Sequence, residues 1–151
     1  MEKENILISA CLIGINCRYD GKNNKINIID KLMKYYNLIP FCPEESGGLL
    51  TPRDPSEIRD NKVYSFKNKD VTTNYNSGAF LASSICISKN IKLAILKEDS
   101  PSCGVHYIHN GKFDGKKIEG QGFSTRKLLS LGIRVINENE IEDLLKEYEN
   151  I

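Results

Sequence analysis

The sequence lacks several features by which protein classes are commonly recognised. No apolar run approaches the roughly 20 residues that a membrane-spanning helix needs. The N-terminal stretch "MEKENILISACL" has neither the apolar length nor the cleavage pattern of a secretory leader. The 21 lysines and arginines are balanced by 20 aspartates and glutamates, so no charge excess favours a nucleic acid polymer or an anionic membrane. We therefore expect a cytoplasmic protein that binds neither.

Histidine is also scarce, and no two cysteines form a C-x-x-C pair. The chain has only two histidines, and the missing pair argues against a zinc ribbon or a thioredoxin-like redox site. There are nevertheless five cysteines, and in a reducing compartment we expect free thiols, metal ligands or catalysts rather than disulfides. Soft thiolates with few histidines favour an iron–sulfur cluster over a hard cation.

Short apolar runs alternate with helix-like segments along the 151 residues. The runs are rich in Ile, Leu and Val without strict alternation, which is typical of buried parallel strands, and they are Asn5–Ala10, Leu38–Cys42, Lys92–Leu96 and Ile133–Ile136. Helices are predicted within residues 27–37, 74–90, 123–132 and 137–149. The pattern predicts an α/β class, with one layered, Rossmann-like domain over residues 1–151. We expect a mainly parallel sheet of about four to five strands, covered by helices.

Two helices have apolar stripes at helical spacing, and two loops are long. The stripes are Ile28, Ile29, Leu32 and Tyr36 in the first helix and Phe80, Leu81, Ile85 and Cys86 in the second. The loops cover residues 12–25 and 43–61, and a small hairpin is predicted directly after the second. Loops of this length inside a compact domain are usually functional.

Three cysteines follow predicted strands at equivalent positions. Cys11 follows the first strand, Cys42 ends the second and Cys103 lies in the loop after the third. Because parallel strands share one carboxyl edge, where ligands bind to open α/β sheets, these thiols are expected to converge. The alternative is that each is a small buried hydrophobic residue, which we expect for Cys86. Cys17 could be a fourth ligand or a neighbour.

Four motifs resemble those of the thiouracil desulfidase family, namely "SACLIGINCRYDGKNN", "CPEESGGLLTPRDPSEI", "LKEDSPSCG" and "GKFDGKKIEGQG". The resemblance covers essentially the whole chain. It implies a [4Fe-4S] cluster held by Cys11, Cys42 and Cys103, with one iron left without a protein ligand. It also implies non-redox removal of sulfur from a thiolated uracil at that iron. The assisting carboxylate and serine of the family match Glu44 and Ser100.

Residues beside these motifs give further candidates. Glu45 follows the first acid of the "CPEE" run, and either acid could face the site. Gly47 and Gly48 could let the backbone approach a flat ring, and Ser102 is a further candidate for substrate binding. Arg53 could offer forked donors to pyrimidine carbonyls, or it could pair with a neighbouring loop carboxylate.

The histidines and the glycine-rich fourth motif are less specific indicators of function. His106 and His109 are expected to be surface or hairpin residues rather than ligands. Residues 111–122 lack the spacing of a phosphate-binding loop, so we predict a turn and lid near the site.

Three functions are open from the sequence. The first is an iron–sulfur-dependent, hydrolase-type desulfidase that converts thiouracil, a small thiopyrimidine substrate, to uracil and hydrogen sulfide. The second is a non-catalytic thiolate metal-binding or redox-sensing module, in which Cys17 would be a fourth ligand that closes the cluster. The third is a plain nucleotide-binding α/β domain with incidental cysteines.

Overall fold

A four-stranded parallel sheet forms the centre of the protein. The computed structural model describes residues 2–149, so residue 1 and residues 150–151 of the predicted domain lie outside it. In chain order the elements are β1 (Glu4–Ser9), α1 (Ile29–Leu32), β2 (Tyr36–Phe41), α2 (Pro43–Ser46), β3 (Ser56–Arg59), β4 (Lys62–Ser65), α3 (Thr72–Ser88), β5 (Leu93–Leu96), β6 (Tyr107–His109), β7 (Lys117–Glu119), α4 (Phe123–Ser130), β8 (Arg134–Asn137) and α5 (Ile141–Glu149). Short 3-10 helices cover Ala10–Ile13 and Glu138–Glu140.

The central sheet has the strand order β2-β1-β5-β8, and every neighbouring pair is parallel. The predicted α/β fold with a mainly parallel sheet is confirmed. Both faces of the sheet are buried, which explains why its strands are apolar without alternation. Ile6 and Ile8 face the layer of α1 and α5. Leu7 and Ala94 face the layer of α3 and α4. No helix among residues 2–149 is long and apolar enough to cross a membrane.

The first predicted helix is much shorter than the sequence pattern indicates. The stripe that includes Tyr36 predicts helix to that residue, but α1 ends at Leu32 and Tyr36 begins β2. Tyr36 pairs with Glu4 in the parallel ladder, and its buried ring packs edge-on against Tyr148 of α5 at 5.8 Å. The prediction was wrong because strand pairing and tertiary packing override a local helical pattern.

The apolar stripe predicted for α3 is also wrong in part. Phe80 and Leu81 are 63% and 39% exposed, whereas Cys86 is buried as expected. The buried face consists mostly of small residues, and it comprises Tyr75, Gly78, Ala79, Ala82, Ser83 and Cys86. Small side chains let α3 pack closely against neighbouring backbone, because a Cβ on Gly78 would overlap the carbonyl group of Pro43 in α2. Close packing between helices therefore decides which face of α3 is buried.

Two antiparallel hairpins, β3–β4 and β6–β7, stand outside the central sheet. The hairpin predicted after residue 61 begins one strand earlier, since β3 lies inside the expected second loop. Glu57 of β3 joins the two hairpins, because its carboxylate accepts backbone N–H groups of Gly111 (2.9 Å) and Phe113 (3.1 Å). His109 lies in the second hairpin and His106 directly precedes it, where it pairs with Glu140 at the surface.

Replacing Gly78 with alanine tests the close contact between α2 and α3. Alanine is the better helix former by about 0.5–1 kcal/mol, but its methyl group would overlap the Pro43 backbone. We expect Gly78→Ala to lower the free energy of unfolding by about 1–3 kcal/mol, as overpacking commonly does. The measurement is urea denaturation of cluster-free protein. The exposed neighbour Ser77 provides the control, because Ser77→Ala should change stability by no more than about 0.5 kcal/mol. Equal stability of the two variants would contradict the packing argument.

Candidate active site

Three cysteines lie at the carboxyl edge of the central sheet. Cys11 is in the 3-10 turn after β1, Cys42 joins β2 to α2, and Cys103 is in the loop after β5. Since β2 and β5 flank β1, the strand order reverses at β1, and ligands of open α/β sheets bind at such a point. A cavity of about 540 Å³ opens there, and all three cysteines line it. The structure thus brings the expected thiols to one cavity.

Cys17, from the first long loop, adds a fourth thiol beside two of these cysteines. Hydrogen bonding by the Cys17 thiol lowers the pKa of Cys11 to about 7 despite burial, with help from Asn24 and the charge of Lys97. The same thiol lowers the pKa of Cys42. The nearby sulfurs of Cys11 and Cys42, which accept from the thiol, together with burial raise the pKa of Cys17 itself. Cys11 and Cys42 therefore ionise more readily than Cys17, and the thiolate is the form that binds metals.

Cys103 occupies a different environment on the other side of the cavity. Burial raises the pKa of its thiol to about 12, against the effect of hydrogen bonds from two serine hydroxyls. Ser9 donates to Cys103 Sγ at 3.4 Å, and Ser102 Oγ lies 3.6 Å from the same sulfur. Ser9 is the last residue of β1, so the strand that precedes Cys11 also supplies a donor to Cys103. Hydroxyl donors of this kind stabilise a sulfur that carries negative charge.

Glu98 anchors the loop that carries Cys103. Its Oε1 accepts the backbone N–H groups of Val105, His106 and Tyr107 at 2.7, 2.9 and 3.1 Å. Its Oε2 accepts Asn137 Nδ2 at 2.6 Å. Although burial opposes ionisation, these hydrogen bonds hold the pKa of Glu98 below its ordinary value. One buried carboxylate thus fixes the end of the loop after β5 against the end of β8.

Glu44, rather than Glu45, carries the buried carboxylate of the cavity. Glu44 Oε1 accepts Arg53 Nε at 3.1 Å, and both side chains are largely buried. Glu44 Oε2 accepts the hydroxyl of Ser102 at 2.8 Å. Glu45 is exposed and accepts a hydrogen bond from Thr51 instead. The two adjacent acids therefore have separate surroundings.

The hydroxyl groups of the third motif continue from Glu44. Ser102 Oγ lies 3.3 Å from Ser100 Oγ, and Ser100 Oγ accepts the backbone N–H of Cys103 at 2.7 Å. Ser102 is buried between these partners, whereas Ser100 is more accessible, and both line the cavity. A continuous polar chain thus runs from Arg53 through Glu44 and Ser102 to Ser100.

Arg53 and the two glycines of the second motif make contacts within the protein. Besides Glu44, Arg53 binds the carbonyl oxygen of Cys17 through Nη2 at 2.8 Å. A Cβ on Gly47 would overlap the backbone of Asn74 in α3, whose side chain donates to Gly47 O at 2.8 Å. Gly48 adopts a left-handed φ of +97° beside the same asparagine. These glycines let α2 and its following turn pack against α3.

The sequence analysis assigned no role to several residues that the structure places at the site. Ser9 and Asn24 bind the sulfurs of Cys103 and Cys11, and the buried Tyr75 of α3 lies beside Glu44. Burial, together with the nearby Glu44 carboxylate, raises the pKa of Tyr75, so it stays a neutral phenol. A buried serine that ends an apolar strand is the one signal that could have identified Ser9.

The fold and the cavity define an α/β protein with a thiol-based site at the switch point of its sheet. Residues 6–140 match the model of the 2-thiouracil desulfurase family. The chain therefore belongs to the 2-thiouracil desulfurase family, and the resemblance seen in its motifs is confirmed.

Two relatives are similar to the chain over nearly its whole length. The uncharacterized protein YbbK of Bacillus subtilis (strain 168) is 41% identical over 150 residues, which cover 93% of this chain and 99% of YbbK. A solved structure, the [4Fe-4S]-dependent thiouracil desulfidase TudS, is 40% identical with a TM-score of 0.92. That match covers 99% of this chain and 100% of the TudS chain.

The anchoring role of Glu98 is testable by its amide variant. We expect Glu98→Gln to lower the free energy of unfolding at pH 7 by about 2–4 kcal/mol, because a donor would replace one charged acceptor among buried N–H groups. The depressed pKa of Glu98 stabilises the native state above pH 4.5, its ordinary value, and this stabilisation is lost as the pH falls through the native pKa. The difference between wild type and variant should therefore shrink with acidification below pH 4.5, measured by denaturant unfolding.

The exposed Glu119 of β7 supplies the matched control. Glu119→Gln removes the same charge without a buried partner, so its stability should stay within about 0.5 kcal/mol of wild type at each pH. If the two amide variants lose equal stability, Glu98 does not anchor the loop in the way described.

Proposed function

We propose that this chain is a [4Fe-4S]-dependent thiouracil desulfidase, which hydrolyses a thiolated uracil to the oxo base and hydrogen sulfide. The observation that carries the proposal is the meeting of Cys11, Cys42 and Cys103 in one cavity beside the buried Glu44. Family membership and the likeness to TudS support it. Replacing C=S by C=O with water transfers no electrons, so the reaction needs no external reductant.

The donor set fits an iron–sulfur cluster. Soft thiolates are the ligands that such clusters use, and Cys11, Cys42 and Cys103 would hold the cluster in the proposed arrangement. Ser9 supplies a hydroxyl donor to the least accessible of these sulfurs, that of Cys103. When bound, a cluster with one iron free of protein thiolate supplies a Lewis acid that suits a soft thiocarbonyl sulfur and polarises the C=S bond.

Cys17 is proposed to be a neighbour of the cluster rather than its fourth ligand. Its sulfur lies within 4.8 Å of the Cys42 sulfur, and its thiol lowers the pKa of both Cys11 and Cys42. Sulfur ligands bound to different irons of one cluster are held apart by the cluster core. A thiol so close to two of these ligands would be poorly placed to bind the fourth iron, which would then stay open to substrate.

The residues of the polar chain from Arg53 to Ser100 are proposed to transfer protons during the reaction. Hydrolysis delivers the oxygen of water to the ring carbon and two protons to the departing sulfur. The Glu44 carboxylate accepts the hydroxyl proton of Ser102, and Ser102 is in turn 3.3 Å from Ser100 at the cavity. A proton can therefore move between the cavity and Glu44 through these hydroxyls. Arg53 keeps the carboxylate oriented toward Ser102.

The substrate proposed for the cavity is a small thiopyrimidine. The rings of Phe66 and Phe113 meet edge-on at 5.4 Å, and both line the cavity, as Ser102 does. Aromatic faces and a hydroxyl suit a planar heterocycle with polar edges. Arg53 and Glu44 face the same cavity, so the substrate would lie between aromatic rings and the polar chain.

Anaerobic reconstitution tests the proposed ligands. We expect wild-type protein to bind iron and sulfide, show the visible absorption of a [4Fe-4S] cluster and convert thiouracil to uracil without an electron donor. Cys11→Ala, Cys42→Ala and Cys103→Ala should lose the cluster, because each removes a ligand. Cys17→Ala and the core variant Cys86→Ala should keep it. Wild-type protein that binds no iron would refute the proposal, and equal iron loss in Cys17→Ala would favour a closed, non-catalytic cluster.

The adjacent acids provide a matched pair for the proton-transfer proposal. We expect Glu44→Gln to lower kcat by about 10²–10⁴-fold with unchanged iron content, because the amide cannot accept the proton. Ser102→Ala should lower kcat in the same direction by breaking the chain. Glu45→Gln should retain wild-type kcat, since Glu45 faces Thr51 rather than Ser102. Rates are measured per intact cluster, and a larger loss in Glu45→Gln than in Glu44→Gln would reverse the assignment.

A further inference from the structure

Two residues beside the cavity have no part in the proposed chemistry, namely Cys17 and Glu45. They lie together with Cys42, and the sulfur atoms and one carboxylate oxygen of the three side chains are all within 4.8 Å of one another. Within residues 2–149, this trio is the one group of cysteine, histidine and acidic side chains found at such spacing. Ligand atoms of a tetrahedral zinc site with Zn–S bonds of about 2.3 Å are roughly 3.7 Å apart. Small side-chain rotations would bring the trio to that spacing.

We propose that Cys17, Cys42 and Glu45 form a binding site for a single Zn²⁺ ion in the cluster-free protein. Two thiolates and a carboxylate are ligands that zinc accepts, and three protein ligands leave the fourth position to water. The site differs from the proposed cluster site in two of its three ligands. Because Cys42 belongs to both, zinc and the cluster exclude each other.

The neighbouring residues orient these ligands as partners of metal ligands commonly do. Thr51 Oγ1 donates a hydrogen bond to Glu45, and Arg53 Nη1 donates to Thr51 Oγ1 at 2.7 Å. Arg53 Nη2 also holds the carbonyl oxygen of Cys17 at 2.8 Å. Hydrogen-bonded partners of this kind fix ligand orientation and strengthen metal binding. The charge of Arg53 is paired with Glu44. Binding of Zn²⁺ would displace the thiol proton of Cys17, and the two thiolates and Glu45 would then provide the negative charge that a divalent cation needs.

The three side chains differ in exposure, and the exposed one gives the ion a route to the site. Cys17 is 3% exposed, Cys42 is half-buried and Glu45 is exposed, so the site opens from the solvent on the side of Glu45. Cys103 is not part of this trio and is hydrogen-bonded to Ser9 instead. A divalent ion that arrives before iron therefore meets Cys17, Cys42 and Glu45 without needing Cys103.

Spectroscopy with Co²⁺ as a stand-in for Zn²⁺ tests the site in cluster-free, reduced protein under argon. We expect one tetrahedral Co²⁺ per chain, with sulfur-to-metal charge-transfer absorption equivalent to two thiolates, which Zn²⁺ displaces. Cys17→Ser and Glu45→Gln should each weaken binding of both metals by at least about tenfold. Cys103→Ala, which removes a proposed cluster ligand, should bind Co²⁺ as wild type does, and so should the core variant Cys86→Ala.

Competition during cluster assembly provides the second measurement. Equimolar Zn²⁺ should block iron incorporation into wild-type protein but have little effect on Cys17→Ser or Glu45→Gln. Weakening of Co²⁺ binding by Cys103→Ala as strong as that by Cys17→Ser would overturn the proposal, because Cys103 would then contribute to the metal site as much as Cys17 does. Only the exclusion of the cluster rests on the proposed function. Wild-type protein that binds zinc through this trio but never forms a cluster would refute that function and leave the zinc site intact.

Discussion

The buried ion pair between Arg53 and Glu44 holds the loops of the site together. Arg53 donates hydrogen bonds to Glu44 in α2, to the carbonyl oxygen of Cys17 in the first long loop, and to Thr51 in its own loop. Glu44 in turn accepts Ser102 from the loop after β5. Both partners are largely buried, and removing one side of such a pair commonly costs about 3–5 kcal/mol because the other charge is left uncompensated. The positions of Cys17, Cys42 and Cys103 therefore depend on one guanidinium–carboxylate contact.

Parallel strand pairing explains why residues that are distant in the sequence meet at one edge of the sheet. Cys11, Cys42 and Cys103 follow three different strands, and the strand order β2-β1-β5-β8 makes those strands neighbours. The carboxyl ends of neighbouring parallel strands lie side by side, so each following loop starts at the same edge. Glu98 then folds the loop after β5 back onto its own start, because its carboxylate accepts the backbone N–H groups of residues 105–107. Sheet topology gathers the thiols, and one buried carboxylate fixes the third.

The sequence was sufficient to predict whatever depends on local pattern combined with topology. Strand composition predicted the parallel sheet, and the sheet predicted that Cys11, Cys42 and Cys103 meet at one edge. It was not sufficient where a contact over many residues decides the outcome. Tyr36 continued a helical pattern but pairs with β1, and Phe80 continued an apolar stripe but is exposed, because α3 packs through smaller residues. No local sequence pattern indicates such contacts, because the two partners lie tens of residues apart in the chain.

The two adjacent acids show how little sequence distance separates different roles. Pro43 begins α2, which suits its fixed φ and absent N–H, and the short helix then places consecutive side chains about 100° apart around its axis. Glu44 consequently turns inward to Arg53 and Ser102, whereas Glu45 turns outward to Thr51. In a strand the two side chains would point to opposite faces, and in a loop their directions would be unconstrained. A single helical turn after Cys42 thus gives the proposed reaction its carboxylate and leaves the neighbouring carboxylate, with Cys17, free for a different ligand.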